Sequence, residues 1–568
     1  MTMNHQAVTE RVSLTFQDYK SNEVELPFRI LILSDLTSDE RSEDITENDL
    51  IKVENGVGNL LASQNIVLKL ELENKLNPSS SDAISVNYDL SSLDDFEPES
   101  LLNGVPELNN ALTLHSYLGN ETVKFSRFSE LLLSFGFSAD NEMDFNDRLV
   151  IQHELHQRMC DQLDLIVQNS RFRSLESSWR SLDYLDSHID YKENIELIVL
   201  NTNKQSLLED FEDAPDVIQS TLFQYIYSAE FGQFGGRPYS LVLGDFNFSH
   251  QVQDMALLQN LAKVSAISHC PFVSAASEKM FGVDSFSEFS RIRDISSHFD
   301  QPFYAKWNSF KESSDSRYVC LTLPKFLLRH SHTNLNQSFN YEEKTTADTK
   351  GLWGNSAYAL VTRFANSYAS FRWFINVSGE DYGQLDDLMI ESGSPTMRAQ
   401  LPTEVMISER SANELIKNGF TPLTIQKASK KAAFMAVPSC KSIEVQANTA
   451  EGRQAALNQQ IETQLPYMLI SCRFSQYIKV MQRENIGSWL TRSQIDQSLN
   501  RWLKQFVSDM DNPAPSVRAR RPLRNAHISV RDMEGKSGWF LSTISITPHF
   551  KYMGQSFTLT ERGRLEKA

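Results

Sequence analysis

Cysteine is scarce in this 568-residue chain. The five present, Cys160, Cys270, Cys320, Cys440 and Cys472, lie far apart, and no CxxC pair occurs. That excludes a disulfide framework and a zinc ribbon. Proline and glycine, 18 and 22 residues, are too few for a fibrous repeat. Apolar runs such as Phe28–Leu33 fall far short of the roughly 18 residues a membrane helix needs. The opening MTMNHQAVTER has no basic stretch followed by an apolar core, so it does not read as a secretory signal. These absences predict a soluble, cytoplasmic protein in a reducing compartment, with no direct membrane insertion. What is present is ordinary for a folded chain: 40% hydrophobic residues and 34 phenylalanines exclude disorder. The length suggests about four domains.

The net charge of −19 is unevenly spread. Residues 1–150 carry 27 Asp and Glu against 10 Lys and Arg. Residues 501–568 carry 6 acidic and 12 basic side chains. An acidic front repels phosphates, so nucleic acid is a poor partner. Front and tail have opposite signs and attract within one chain or between chains; the plainer reading is two solvated faces.

Alternation in Arg11–Phe16 predicts a short strand, with Val12, Leu14 and Phe16 on one face. A polar stretch containing Asp18, Lys20, Ser21 and Asn22 follows, and Leu26-Pro27 opens a second strand, Phe28–Leu33. A lone strand cannot bury its own face. It pairs within its own chain or adds to a neighbour's sheet. Further strands are predicted at Ile66–Leu72 and Ala83–Tyr88, and helices from Ser92 to Leu118. A long helix runs from Phe145 to Val167, with Leu149, Leu155, Met159, Leu163 and Ile166 as its stripe. A second helix carries Leu175, Trp179 and Leu182. Strands at 195–200, 241–243 and 318–323 alternate with helices at 216–228 and 252–268, the pattern of an α/β layer. Residues 331–350 and 441–456 are polar and read as exposed loops, helices return at 457–483 and 492–507, and Ala526–Asp532 with Trp539–Thr547 form a hairpin about Gly535–Gly538.

No constellation for catalysis stands out. No GxxxxGK[ST] loop, GxSxG elbow or HExxH helix occurs. His153, His156 and Cys160 share a helix side without a further ligand at metal spacing, and ordinary packing is the plainer reading. His330 and His332 are weaker still. Asp35 and Asp245 end apolar strands, where a cap is the common role. The glycines of Phe231–Gly236 follow a helix and read as a turn. Arg518, Arg520, Arg521 and Arg524 form a basic cluster without interleaved aromatics, which suits acidic protein surfaces better than nucleic acid.

Many stretches coincide with a known pattern. They include Phe172–Arg180, Glu230–Pro238, Leu243–Phe246, Gln253–Leu258, Pro271–Ser277, Ser316–Val319, Leu323–Arg329, Leu352–Asn355 and Pro402–Val405. Leu465–Tyr467, Arg473-Phe474, Asn500–Trp502, Pro522–Ala526 and Pro548–Phe550 continue the series. From about residue 142 the chain thereby resembles the large subunit of the type VI secretion contractile sheath (TssC, or VipB). Glu25–Leu31, Ser92–Glu99 and Val105–Leu108 resemble the small subunit (TssB, or VipA). Two normally separate subunits look fused.

The resemblance implies a mixed α/β, multi-domain sheath protomer. Its parts are an arm and linker (1–24), a small-subunit-like domain (25–140), a large-subunit-like domain (141–510) and a basic segment with β-hairpin (511–568). It implies a structural protein, not an enzyme, with no cofactor or metal. Copies polymerise into a helical tube around an inner tube of Hcp and contract to propel it, in contact with baseplate and sheath-assembly proteins. Neighbours are joined by strand exchange, here assigned to Val12, Leu14 and Phe16 and to Ile528, Val530, Ile544 and Ile546, with Asp18, Lys20, Ser21 and Asn22 as the tether. The family's large subunit begins with a segment read by the recycling ATPase ClpV; the sequence shows no match to it, so recycling by ClpV is not implied. The alternatives are a sheath-related cap or assembly factor at one end of the tube, or an α/β enzyme.

Overall fold

The computed structural model describes residues 14–17, 23–37, 45–46, 49–53, 56–78, 82–120, 123, 128–138, 144–292, 294–333, 339–345, 350–374, 376–379, 382–385, 388–389, 401–425, 431–442, 459, 463–484, 492–508, 510, 521–532, 540–548, 551–552 and 555–556. In chain order the strands are β1 (Thr15–Gln17), β2 (Glu23–Glu25), β3 (Phe28–Ser34), β4 (Leu50–Lys52), β5 (Ile66–Leu72), β6 (Ile84–Leu90), β7 (Ile195–Asn201), β8 (Leu241–Phe248), β9 (Phe272–Ala276), β10 (Val319–Leu323), β11 (Phe326–Arg329) and β12 (Leu352–Gly354). They continue with β13 (Gln384–Leu385), β14 (Phe420–Ile425), β15 (Ala432–Phe434), β16 (Leu523–Asp532) and β17 (Phe540–Pro548). The helices used below are α1 (Pro98–Gly104), α2 (Pro106–Leu118), α3 (Phe145–Val167), α4 (Ser170–Ser187), α5 (Lys204–Asp213), α6 (Val252–Ser268), α7 (Ser356–Phe371), α8 (Leu465–Glu484) and α9 (Arg492–Lys504).

Nine strands make the central sheet, in the order β13-β15-β14-β10-β9-β8-β3-β7-β4. From β14 to β7 every pairing is parallel. β3 comes from the acidic front yet lies inside the sheet. It pairs with β7 from Phe28↔Ile195 to Ser34↔Asn201, and with β8 from Ile30↔Leu241 to Leu33↔Gly244. A parallel strand covered on both faces must be apolar almost throughout. Accordingly Phe28, Ile30 and Ile32 enter one core, and Leu31 and Leu33 the other. Arg29 is the one charged residue of β3, and it pairs with Glu196 at 3.2 Å and Glu230 at 2.8 Å.

The part of the front from Val57 to Phe137 packs on α3 and α4. β5 and β6 pair from Ile66↔Leu90 to Leu72↔Ile84, and buried residues alternate with exposed ones along both. Gly104 ends α1 against this pair; a Cβ there would stand 2.2 Å from Tyr88 Cε2. Helix α3 opens with a capping box of Asp144 and Asp147. Its side chains satisfy backbone groups of the front. Gln152 donates to His115 O (3.0 Å), Arg158 to Leu76 O (3.1 Å) and Phe135 O (2.9 Å), and Gln162 accepts from Lys75 N (2.8 Å).

Several expectations need correction. Leu149 does not join the α3 stripe and is 41% exposed; Arg148 and Gln152 make that turn's contacts with the front instead. The helix expected at 216–228 starts later and runs further, unbroken over 221–232 with a π turn at Gln224–Ser228, because Ser220 caps Phe223 N and Asp210 captures the amides of Thr221 and Leu222; Val217–Gln219 is a separate 3-10 turn. Helix α5 was not read from the sequence. Its signal was the Asn203 cap ahead of Leu207, Leu208 and Phe211, all buried.

The polar run 331–350 is not all exposed: His332, Phe339, Tyr341 and Glu343 are buried. The reason is an ion cluster. Arg329, from β11, donates to Glu176 of α4 through Nε (2.6 Å) and Nη2 (2.9 Å), and to Glu343 at 3.2 Å. Arg180 joins Glu176 to Glu97 of the front, at 2.8 Å each. Burial alone raises the pKa of Glu176; the hydrogen bonds and charges of Arg329 and Arg180 overcome it and hold the carboxyl below its usual range. A buried pair broken on one side costs about 3–5 kcal/mol. Arg329→Met is therefore expected to lose that much stability in urea unfolding at pH 7. Because the folded pKa of Glu176 is depressed, its contribution holds above about pH 4.3 and fades as pH falls. The gap between Arg329→Met and the parent should narrow under acid.

Candidate assembly site

The third core gathers both ends of the chain. Leu14, Phe16 and Leu26 pack with Ile528, Val530, Ile544 and Ile546, all buried. Between them stand Phe474, Tyr477, Trp502, Phe506 and Trp373. The sequence placed the arm residues and the hairpin residues in one interaction role, and the fold brings Leu14, Phe16 and those four hairpin residues together. Val12, the tether residues Asp18, Lys20, Ser21 and Asn22, and Arg518 and Arg520 lie outside the described residues. Arg521 is exposed and Arg524 half-buried at the foot of β16.

Short ladders and side-chain bonds hold this module. β1 pairs antiparallel with β2, Phe16 opposite Val24. Of the two arrangements open to the arm, the described chain adopts pairing within itself. The Trp502 indole N–H donates to Thr15 O (2.8 Å). Tyr477 stacks on Trp502 with centroids 6.0 Å apart, meets Phe16 edge-on at 6.1 Å, and its hydroxyl accepts from Leu26 N at 2.9 Å. The root of the arm is bolted by buried Arg473. It donates to Pro27 O (2.9 Å), Ser240 Oγ (2.8 Å) and Leu26 O.

The hairpin's two edges differ. β16 and β17 pair along their whole length, with Ile528 opposite Ile544 and Ala526 opposite Ile546. On the outer side of β16 the Asn500 carboxamide accepts from Ile528 N (2.9 Å) and donates to Ile528 O (2.7 Å). Asp496 accepts from Val530 N (3.1 Å). Helix α9 thus occupies the hydrogen-bonding groups that a further strand would use. Among the described residues no strand pairs with the outer edge of β17.

The chemical candidates resolve into packing. His156 lies 3.7 Å from Cys160 Sγ, but its ring packs on Phe339 (4.6 Å) and beside His115 (5.6 Å), while His153 bonds Gln157. Burial lowers the pKa of both His115 and His156 and pushes the Cys160 thiol up to about 11. Among the described residues no three metal-ligating side chains gather. His330 is exposed; His332, held to about 3 chiefly by burial, sits against Glu97 in the ion cluster. Asp245 does not end its strand but lies within β8, where the register with β9 shifts, and is bonded to Ser34 Oγ (2.9 Å); burial raises its pKa, opposed by hydrogen bonds from Ser178, Ser34, Tyr358 and Asn355. Asp35 lies just beyond β3, on the turn that follows the strand. No described helix is long and apolar enough to cross a membrane.

Known families match both parts of the chain. Residues 149–441 match the family described as EvpB/VC_A0108, tail sheath N-terminal domain, and residues 454–565 match its tail sheath gpW/gp25-like domain. Residues 4–131 match the family described as type VI secretion system, VipA, VC_A0107 or Hcp2. Among curated proteins the chain is 34% identical over 428 residues to the type VI secretion system sheath protein TssC1 of Pseudomonas aeruginosa, covering 73% of this chain and 85% of that one. A chain of the cryo-EM structure of the anti-feeding prophage (AFP) baseplate overlaps with a TM-score of 0.34 and 7% identity, over 65% of this chain and 76% of that one.

The class is that of structural tail-sheath subunits rather than enzymes. More particularly, the chain belongs to the VipB sheath family of type VI secretion, with a VipA-type region fused ahead of it.

Asn500→Ala would strip both bonds from Ile528. At about 1–3 kcal/mol for buried groups left unpaired, amide exchange at Ile528 and Val530 should accelerate roughly tenfold or more, with the β3 amides unchanged.

Proposed function

We propose that copies of this chain polymerise into a helical tube around an Hcp inner tube, and that contraction of that tube propels its contents. The observation that carries the reading is the asymmetric terminal module: one hairpin edge occupied by α9, the other without a strand partner among the described residues, and the arm beside it. In this reading the arm of one protomer, through Val12, Leu14 and Phe16, adds to the hairpin of the next. Asp18, Lys20, Ser21 and Asn22 form the tether, and Arg518, Arg520, Arg521 and Arg524 meet acidic surface of a neighbouring front. The three-residue ladder between β1 and β2 is short, so exchanging it for a neighbour's strand costs little. Strand addition supplies backbone hydrogen bonds that persist while protomers move as rigid bodies. The functional division follows 1–24, 25–140, 141–510 and 511–568. Baseplate and sheath-assembly proteins are the further partners, in the cytoplasm.

Negative-stain electron microscopy of the full chain expressed alone tests the proposal. Long hollow tubes are expected; monomers or small rings at every concentration would instead favour an end-cap or assembly factor. Replacing Leu14 and Phe16 together with Asp should abolish tubes while far-UV circular dichroism of the protomer stays unchanged, since β3 and both main cores lie elsewhere. Tubes from that variant would remove the arm from the mechanism. Lengthening the tether within Lys20–Asn22 should leave extended tubes that fail to contract, and normal contraction would make the tether passive.

A further inference from the structure

Residues 230–238 form a surface turn with an unusually rigid frame. Buried Arg483 donates from Nη1 to Glu230 O (2.8 Å) and from Nη2 to Gly236 O (3.1 Å), so one guanidinium grips both ends. The Glu230 carboxylate accepts from Arg237 N (2.8 Å) and pairs with Arg29 of β3 (2.8 Å). Arg237 pairs with Glu196 of β7 (3.0 Å), and Gly235 N donates to Glu484 at 3.4 Å. Gly235 and Gly236 are both required. Gly235 has φ +79°, and a Cβ on Gly236 would lie 2.3 Å from Glu230 O.

At the tip of this frame stands Phe234, 66% exposed. Single exposed apolar residues need no explanation by themselves. Phe234 differs because its backbone is already ordered on every side, so binding through it would forfeit little conformational entropy. Aromatic side chains placed this way serve as interface anchors. The charges around it are mutually paired, Arg29 and Arg237 with Glu196 and Glu230, which disfavours a strongly charged partner. Its base runs directly into the assembly module: Phe231 belongs to the same core as Leu14, Phe16, Ile528 and Ile544, and Tyr227 packs on Phe231 with ring centroids 4.9 Å apart.

We propose that Phe234 is an anchor that inserts into an apolar recess on a second copy of this chain, next to the exchanged strands. The inference rests on the assembly reading above and adds a side-chain contact to it. A helical polymer uses heterologous contacts, in which each copy offers an anchor on one face and a receptor on another. Continuity with the arm and hairpin selects a second copy over an unrelated protein.

The full chain carrying the photoreactive analogue p-benzoylphenylalanine at position 234, and the variants Phe234→Ala and Phe303→Ala, test this. Phe303 is 77% exposed on a turn without such a frame. Irradiation is expected to join two chains. Phe234→Ala should keep the parent's thermal midpoint but need about tenfold more protein to assemble, while Phe303→Ala assembles like the parent. Assembly of Phe234→Ala at the parent's concentration, crosslinks confined to one chain, or equal impairment by both alanine variants would overturn the anchor and leave the assembly reading standing. A parent chain that stays monomeric throughout would bring down both.

Discussion

The hydrogen-bond ladders on the two sides of β3 are the constraint from which the molecule follows. Seven residues of the front occupy the middle of a sheet whose other central strands come from the back. Without β3 the sheet would separate into β7 with β4 on one side and six strands on the other. The small-subunit region therefore cannot behave as an independent bead. Its strand order, with the winding reversing beside the first central strand, is that of doubly wound sheets, and both faces must be covered to bury such a strand. The two main cores supply that cover.

Polar groups at the join then set how the front sits. Leucines and phenylalanines drive association but tolerate sliding. A bidentate Arg329–Glu176 pair linked through Arg180 to Glu97 does not. Helix α3 adds a second set of fixed distances by donating to carbonyls at the ends of front segments. Such buried charges are poor sources of net stability and strong penalties against misplacement. In a structural sheath subunit, defined geometry between the two regions matters more than additional stability.

The terminal module is attached by different means. Among the described residues its arm and hairpin have no ladder to the central sheet; they are tied by aromatic packing and by side chains of α8 and α9 that bond backbone groups. Arg473 marks the boundary, fastening Leu26 and Pro27 where the arm leaves the body. A stiff body joined to a separately built strand module is the arrangement that lets protomers change their mutual position while remaining linked.

The sequence by itself determined the elements and the family. Apolar continuity named β3, alternation named β5, β6 and the closing hairpin, 3.6-residue spacing named α3, and ordered motifs identified a fused sheath subunit. These signals are local, and short-range periodicity records which face of an element is buried. It does not record against what. Only the tertiary structure decided that β3 lies between β7 and β8, because strand pairing joins residues more than 150 positions apart. The same holds for Glu343: a polar loop looked exposed until Arg329 was found to require its carboxylate. Leu149 erred in the opposite direction, apolar in spacing but exposed because polar neighbours took the contact. Of the core that joins the arm to the hairpin, the sequence named Leu14, Phe16, Ile528, Val530, Ile544 and Ile546. It marked Asn500 and Trp502 only as part of a family motif and Asp496 not at all, because their roles exist only where a helix side chain meets a distant strand's backbone.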